Sequence, residues 1–189
     1  MSRHFAEIAY TPAVRVLQRR YNGSEMPSGS GSPQPELGPR ESTFIAARDS
    51  FYLATVSETG WPHVQHRGGP AGFLRVLAPR LLAFPDYGGN RQYVSAGNLQ
   101  GNDRAALILM DYPHRRRLKI LGHMTVWDAA DAPPELAGVT APAGGIGAER
   151  IMVLQVAAFD WNCSQHITPR YSAAELAALG IPDLSAPTP

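Results

Sequence analysis

A mainly β fold, an antiparallel barrel edged by a few helices, is what this chain of 189 residues predicts. Strand-length segments, apolar or alternating, recur from Phe51 to Phe159 and are broken by Gly, Pro, Asn and Asp. Neighbouring segments are joined by hairpin-sized turns. Helical spacing is sparse, confined to the two ends and to short insertions. With 44% hydrophobic residues the chain can bury a sizeable core, and one domain is the simplest division.

The elements follow in order. Pro12–Arg20 is a helix, with Thr11 as cap and Pro12 at its first position. Residues 21–40 hold four Gly, four Ser and four Pro, so a flexible loop completes the N-terminal part, 1–40. The barrel spans 41–171. Glu41–Arg48 is a short helix before the strand Phe51–Val56, and the turn Ser57-Glu58-Thr59-Gly60 leads into strand 62–68. Leu74–Leu77 and Leu81–Phe84 form a second hairpin about Pro79-Arg80. Asn90–Leu99 is a helix opened by Gly88-Gly89. Ala105–Asp111 and Leu118–Trp127 are long strands, 131–147 is a Pro/Gly-rich excursion, and Ile151–Phe159 is the last strand. A helix over Ala173–Leu179 and a tail complete 172–189.

Composition narrows the function. A net charge of +1 gives no push toward nucleic acid or an anionic membrane. The one cysteine, Cys163, excludes an intrachain disulfide and fits a reducing compartment. No apolar run approaches membrane-span length, and no secretory leader is visible, so a cytoplasmic location is expected.

Four clusters could carry chemistry. In an extended strand His63, Gln65 and Arg67 share one face, while Val64, His66 and Gly68 share the other. That strand is either a solvated polar stripe or one wall of a binding site. The second cluster is the start of the 90–99 helix. Its free N–H groups and dipole attract anions, and Arg91 adds a planar cationic fork. The bland alternative is a helix capped by Asn90. The third cluster, Arg115-Arg116-Arg117 with Lys119, reads first as a basic turn; Arg117 and Lys119 alternate and so share a strand face. The fourth is Trp161-Asn162-Cys163-Ser164-Gln165-His166-Ile167-Thr168-Pro169-Arg170-Tyr171. Cys163 and His166 suggest a thiolate–imidazole pair, but no orienting third member or oxyanion hole accompanies them. One cysteine and scattered histidines give no metal site. No catalytic residue is assigned; His166 is the best acid–base candidate.

The order Gly60-Trp61-Pro62, then Phe84-Pro85-Asp86, Asn90-Arg91-Gln92 and Asn102-Asp103-Arg104-Ala105-Ala106 resembles the pyridoxamine 5'-phosphate oxidase-like family of FMN-binding split barrels. The likeness runs from about Phe44 to Arg170 and is nearest to a bacterial subgroup distinct from the vitamin B6 oxidases proper. It implies a six-stranded antiparallel split β-barrel, a homodimer, and FMN at the subunit interface. It also implies a set of cofactor contacts. Gln65, His66, Arg67 and Gly68 lie on the flavin-lining strand, and Asn90, Arg91, Gln92 and Tyr93 form the phosphate turn. Ser95 and Asn98 follow on the helix, and Arg117 with Lys119 approaches the ring edge. Trp161, Gln165 and His166 would come from the second subunit, with Arg170 and His166 toward an anionic substrate. Two departures stand out. Pro70 replaces a further basic residue, and the Arg-Leu-His substrate motif of the B6 oxidases is missing, which argues against pyridoxamine phosphate as substrate. An FMN-dependent oxidoreductase of unknown substrate is therefore expected. The alternatives are a non-enzymatic split barrel holding haem or flavin and a deazaflavin-dependent reductase.

Overall fold

The computed structural model describes residues 2–27, 29, 35–89, 91–140, 147–161 and 164–181. Asn90 and Cys163 lie outside the described residues. Seven strands form one sheet: β1 (Ser50–Val56), β2 (Pro62–Gly68), β3 (Arg75–Ala78), β4 (Leu81–Tyr87), β5 (Arg104–Asp111), β6 (Arg116–Asp128) and β7 (Ala148–Trp161). Their order is β2-β1-β5-β6-β7-β4-β3, and every pair is antiparallel. The seven match the strand segments read in the sequence, one more than the six that the resemblance implies, with the four-residue β3 at the edge beside β4.

Alternation places the core. Phe51 and Leu53 of β1, Leu107 and Leu109 of β5, Leu118 and Ile120 of β6, Leu154 and Val156 of β7, and Leu82 and Phe84 of β4 are all buried in one cluster. Each such side chain contributes about 1.5–3 kcal/mol of burial. β1 and β4 are far apart in the strand order, yet the Phe51 and Phe84 rings meet edge to face at 5.0 Å. Phe73 stacks on Phe51 at 5.4 Å. The sheet therefore curls until its two ends approach, as a split barrel requires. Curvature is helped at Gly122, where the β6–β7 register shifts; a Cβ there would stand 2.3 Å from the Gln155 carbonyl oxygen.

Among the described residues six α-helices sit around the barrel: α1 (Arg3–Ala9), α2 (Pro12–Asn22), α3 (Pro39–Ala46), α4 (Val94–Gly101), α5 (Ala137–Thr140) and α6 (Ala173–Ala178). α1 went unread in the sequence; it buries Phe5 and Ala6, and the Ser2 amide donates to Asp160 Oδ1 at 2.8 Å. α2 starts at Thr11 and Pro12 as expected and runs two residues further, to a left-handed Gly23. α3 begins two residues earlier than expected, where Glu41 accepts the Gly38 amide at 3.1 Å. β4 runs three residues past the expected Phe84; β3 pairs no further than Ala83, so Pro85 sits where one edge of β4 is open. α4 begins at Val94, four residues after the expected Asn90. Arg91 (φ 57°) and Tyr93 (φ 52°) are left-handed, which no α-helical turn accommodates. Among the described residues no helix is long and apolar enough to cross a membrane.

Candidate functional site

Where the curled sheet brings β2 toward β4 and β7, a cavity of about 240 Å³ opens beneath the start of α4. Register decides which side chains reach it. Phe51 pairs with Arg67 and Leu53 with Gln65, so these two residues of β2 continue the inner face. His66 pairs with Tyr52 on the outer face, where their rings meet at 5.6 Å. A strand period of two thus separates Gln65 and Arg67 from His66 and Gly68.

The wall opposite comes from β4 and β7. Asp86 pairs in register with Arg150, and its carboxylate is buried. Arg150 donates to Asp86 Oδ2 from Nε at 2.9 Å, and Arg67 donates to Asp86 Oδ1 through Nη1. One carboxylate therefore ties three strands across the seam. Burial pulls the Arg150 pKa down, but the hydrogen bond and charge of Asp86, the charge of Glu149 and the hydrogen bond of Tyr93 leave it raised overall. The Arg150 guanidinium also lies over the Tyr93 ring at 4.6 Å, fixing the residue that precedes α4.

α4 supplies the roof. Ser95 Oγ donates to Gln65 Oε1 at 3.0 Å, and both side chains line the cavity. Asn98 is buried and donates to Thr55 Oγ1 at 3.0 Å, anchoring the helix to β1. Among the described residues the N-cap, Tyr93, makes no side-chain hydrogen bond to the first turn of α4. Arg91 lines the cavity and makes no hydrogen bond or ion pair among the described residues. Within the lining of this cavity two buried donors also lack partners among the described residues: Arg67 Nε and the Tyr87 hydroxyl. Burial pushes the Tyr87 phenol pKa up, so it stays a neutral donor. The cavity thus gathers three arginines against one carboxylate, with unpaired N–H and O–H groups to spare.

Of the residues expected from sequence, Gln65, Arg67, Arg91, Tyr93 and Ser95 line this cavity. Gln92 lies in the turn before α4 without lining it, and Asn98 is committed to Thr55. The remaining candidates sit elsewhere in the chain. Arg117 and Lys119 face outward from β6, and Lys119 lies 4.4 Å from the Phe5 ring centre of α1. Burial pulls the Lys119 pKa down; Asp160 opposes that and Arg117 adds to it, leaving it lowered. Trp161 packs edge-on against Phe44 at 4.7 Å, lies under Arg40, and donates from Nε1 to Glu41 Oε1 at 2.7 Å. Gln165 and His166 form an exposed turn, with His166 left-handed at φ 62°. Arg170 stacks over Tyr112 at 5.1 Å and lines a separate hollow with Arg48 and Glu175. Sequence reasoning missed Arg150 and Tyr87 and gave Asp86 no role. Only the β4–β7 register, which links positions 64 residues apart, brings Asp86 and Arg150 together. No group of three or more His, Cys, Asp or Glu able to hold a metal occurs among the described residues.

A curled antiparallel sheet with an arginine-lined cavity at its seam defines a split-barrel protein. The chain belongs to the pyridoxamine 5'-phosphate oxidase family, whose model matches residues 37–160. Its fold is shared by HupZ of Group A Streptococcus, at 12% identity and a TM-score of 0.54 over 71% of this chain and all of that one. A second solved structure, described as a putative pyridoxamine 5'-phosphate oxidase from Lactobacillus delbrueckii, is 20% identical. Its TM-score is 0.51 over 66% of this chain and 93% of that one. No curated protein is significantly similar to the chain.

Proposed function

We propose that this chain is an FMN-binding flavoprotein, an oxidoreductase of its family whose substrate is not pyridoxamine 5'-phosphate. The observation that carries this reading is the seam cavity, where Arg67, Arg91 and the start of α4 converge beside donors that have no partner among the described residues. Such a set suits a phosphate: charge-assisted N–H groups from arginine forks, helix amides and the Tyr87 hydroxyl. Orphaned buried donors are costly unless a ligand satisfies them, at about 1–3 kcal/mol each.

When bound, the flavin supplies a ring that accepts a hydride and passes the electrons on. The chain's own residues bind and orient it. Asp86 holds Arg67 and Arg150 in fixed forks, so little side-chain freedom is lost on binding. Ser95 orients Gln65, leaving its amide N–H groups to be donated toward the ligand. Asn98 fixes α4 on β1 and with it the direction of the helix start. The outer face of β2, with Val64, His66 and Gly68, and the outward Arg117 and Lys119 belong in this reading to a homodimer interface. There Trp161, Gln165, His166 and Arg170 serve the partner's site, since in their own chain they lie away from the seam cavity.

The test is a visible absorption spectrum of freshly purified protein, with the released cofactor identified by mass and the oligomeric state by light scattering. A yellow dimer releasing FMN or a flavin containing it is the expected result. Colourless protein that ignores added flavin overturns the reading.

A further inference from the structure

The seam cavity does not end at its phosphate donors. A second hollow of about 660 Å³ adjoins it, and Tyr93, Ala96 and Arg150 line both. We propose that the flavin this protein prefers is a dinucleotide, FAD, with the AMP half lying in this second hollow; the inference rests on the flavin reading above.

In FAD the AMP half is joined to FMN through the terminal phosphate, so a groove for it must start at the phosphate seat. Here it does. A diphosphate crossing from one hollow to the other meets Arg67 and Arg91 in the first and Arg150 on the shared ridge. Beyond that ridge the wall changes character. Leu99 and Met124 are buried and Val126 is half-buried, forming an apolar surface against which an adenine ring can lie. Asp128 lines the same hollow, and its carboxylate makes no hydrogen bond or ion pair among the described residues. A free carboxylate beside a nucleotide groove suits the hydroxyls of a ribose.

Gly97 adds an independent observation. It sits inside the eight-residue α4, where glycine is destabilising relative to alanine. Its φ is not left-handed and nothing lies within 4 Å of where its Cβ would stand, so neither strain nor crowding demands glycine. What its missing side chain does is leave the wall of this hollow open.

The experiment uses the full chain stripped of cofactor and titrated separately with FMN and with FAD by calorimetry, alongside Gly97→Phe. The wild-type protein is expected to bind FAD at least tenfold more tightly than FMN. Gly97→Phe, whose ring projects into open space, is expected to abolish that preference. FMN binding as tight as FAD or tighter in the wild type overturns the inference and leaves the flavin reading standing. Binding of neither overturns both. An FAD preference that survives in Gly97→Phe overturns the placement of the AMP half.

Discussion

Two buried aspartates in this molecule hold two arginines each, and the two clusters differ in which of their surrounding donors are left without partners among the described residues. Asp111, at the end of β5, is closed on itself. It accepts the His114 amide at 3.2 Å and the His114 ring nitrogen at 2.8 Å, takes Arg116 Nη2 at 3.2 Å, and lies 3.8 Å from Arg48. Those contacts staple the turn from β5 to β6, and Arg48 also donates to the Phe44 and Met110 carbonyls. Asp86, at the seam, has the same charge pattern with a different remainder. Arg67 Nε and the Tyr87 hydroxyl are left without partners among the described residues, and Arg91 stands beside them uncommitted. At the seam the donors outnumber the acceptors the fold supplies, and they do so around a cavity, which is what the proposed phosphate seat requires. Charge density alone, which is greater in Arg115-Arg116-Arg117, does not mark one.

The largest effect that could break this contrast comes from Arg67→Ala. Removing one partner of a buried ion pair leaves Asp86 under-compensated, at about 3–5 kcal/mol of stability. Flavin affinity is expected to fall with it, so this variant shows the seam to be structural and ligand-bearing together. Arg91→Ala separates the two roles. Arg91 is exposed and pairs with nothing described, so unfolding in urea should shift by less than about 0.5 kcal/mol. Loss of one charge-assisted contact should still weaken flavin binding about tenfold to a hundredfold. Unchanged flavin affinity in Arg91→Ala would place the phosphate elsewhere.

What the sequence disclosed of this contrast was the strand code and little of the tertiary bookkeeping. Alternation in His63–Arg67 correctly put Gln65 and Arg67 on one face, because a period of two is set by the backbone. The opening of α4 was misplaced by four residues because the left-handed positions are an arginine and a tyrosine. Sequence rules assign that conformation to glycine, and Gly88-Gly89 drew the helix start toward them. Asp86 appeared only as the polar end of a hairpin. Its importance depends on Arg67 and Arg150, which are 19 and 64 residues away, and no local pattern encodes that meeting.

Acid should act on the Asp111 cluster. Burial pushes the Asp111 pKa up, but the side-chain and backbone hydrogen bonds of His114, with the charges of Arg48 and His114, more than offset it and leave it lowered. A depressed folded-state value means the unfolded chain binds the proton more readily. The stability Asp111 contributes is therefore complete above its unfolded pKa, roughly 4, and is lost as pH falls through the lower folded value. Asp111→Asn should cost about 1–3 kcal/mol at neutral pH and flatten this acid limb in urea titrations. An unaltered slope would assign the limb to other carboxylates.

The smallest effect gives the cleanest comparison, because one substitution can be made in both regions. Arg115 (φ 52°) ends the turn stapled by Asp111, and Arg91 (φ 57°) precedes α4 at the seam. A left-handed arginine costs about 1–2 kcal/mol relative to glycine, of which roughly 0.4–1 is returned through the greater freedom of glycine in the unfolded chain. Arg115→Gly and Arg91→Gly should each raise stability by a few tenths to about 1 kcal/mol, read from the urea midpoint. Their ligand consequences should diverge. Arg115 lines no described cavity, so Arg115→Gly should bind flavin as the wild type does. Arg91→Gly should gain the same backbone relief and still lose flavin affinity. Equal affinity in both variants would mean that the seam arginine, like the turn arginine, serves only the fold.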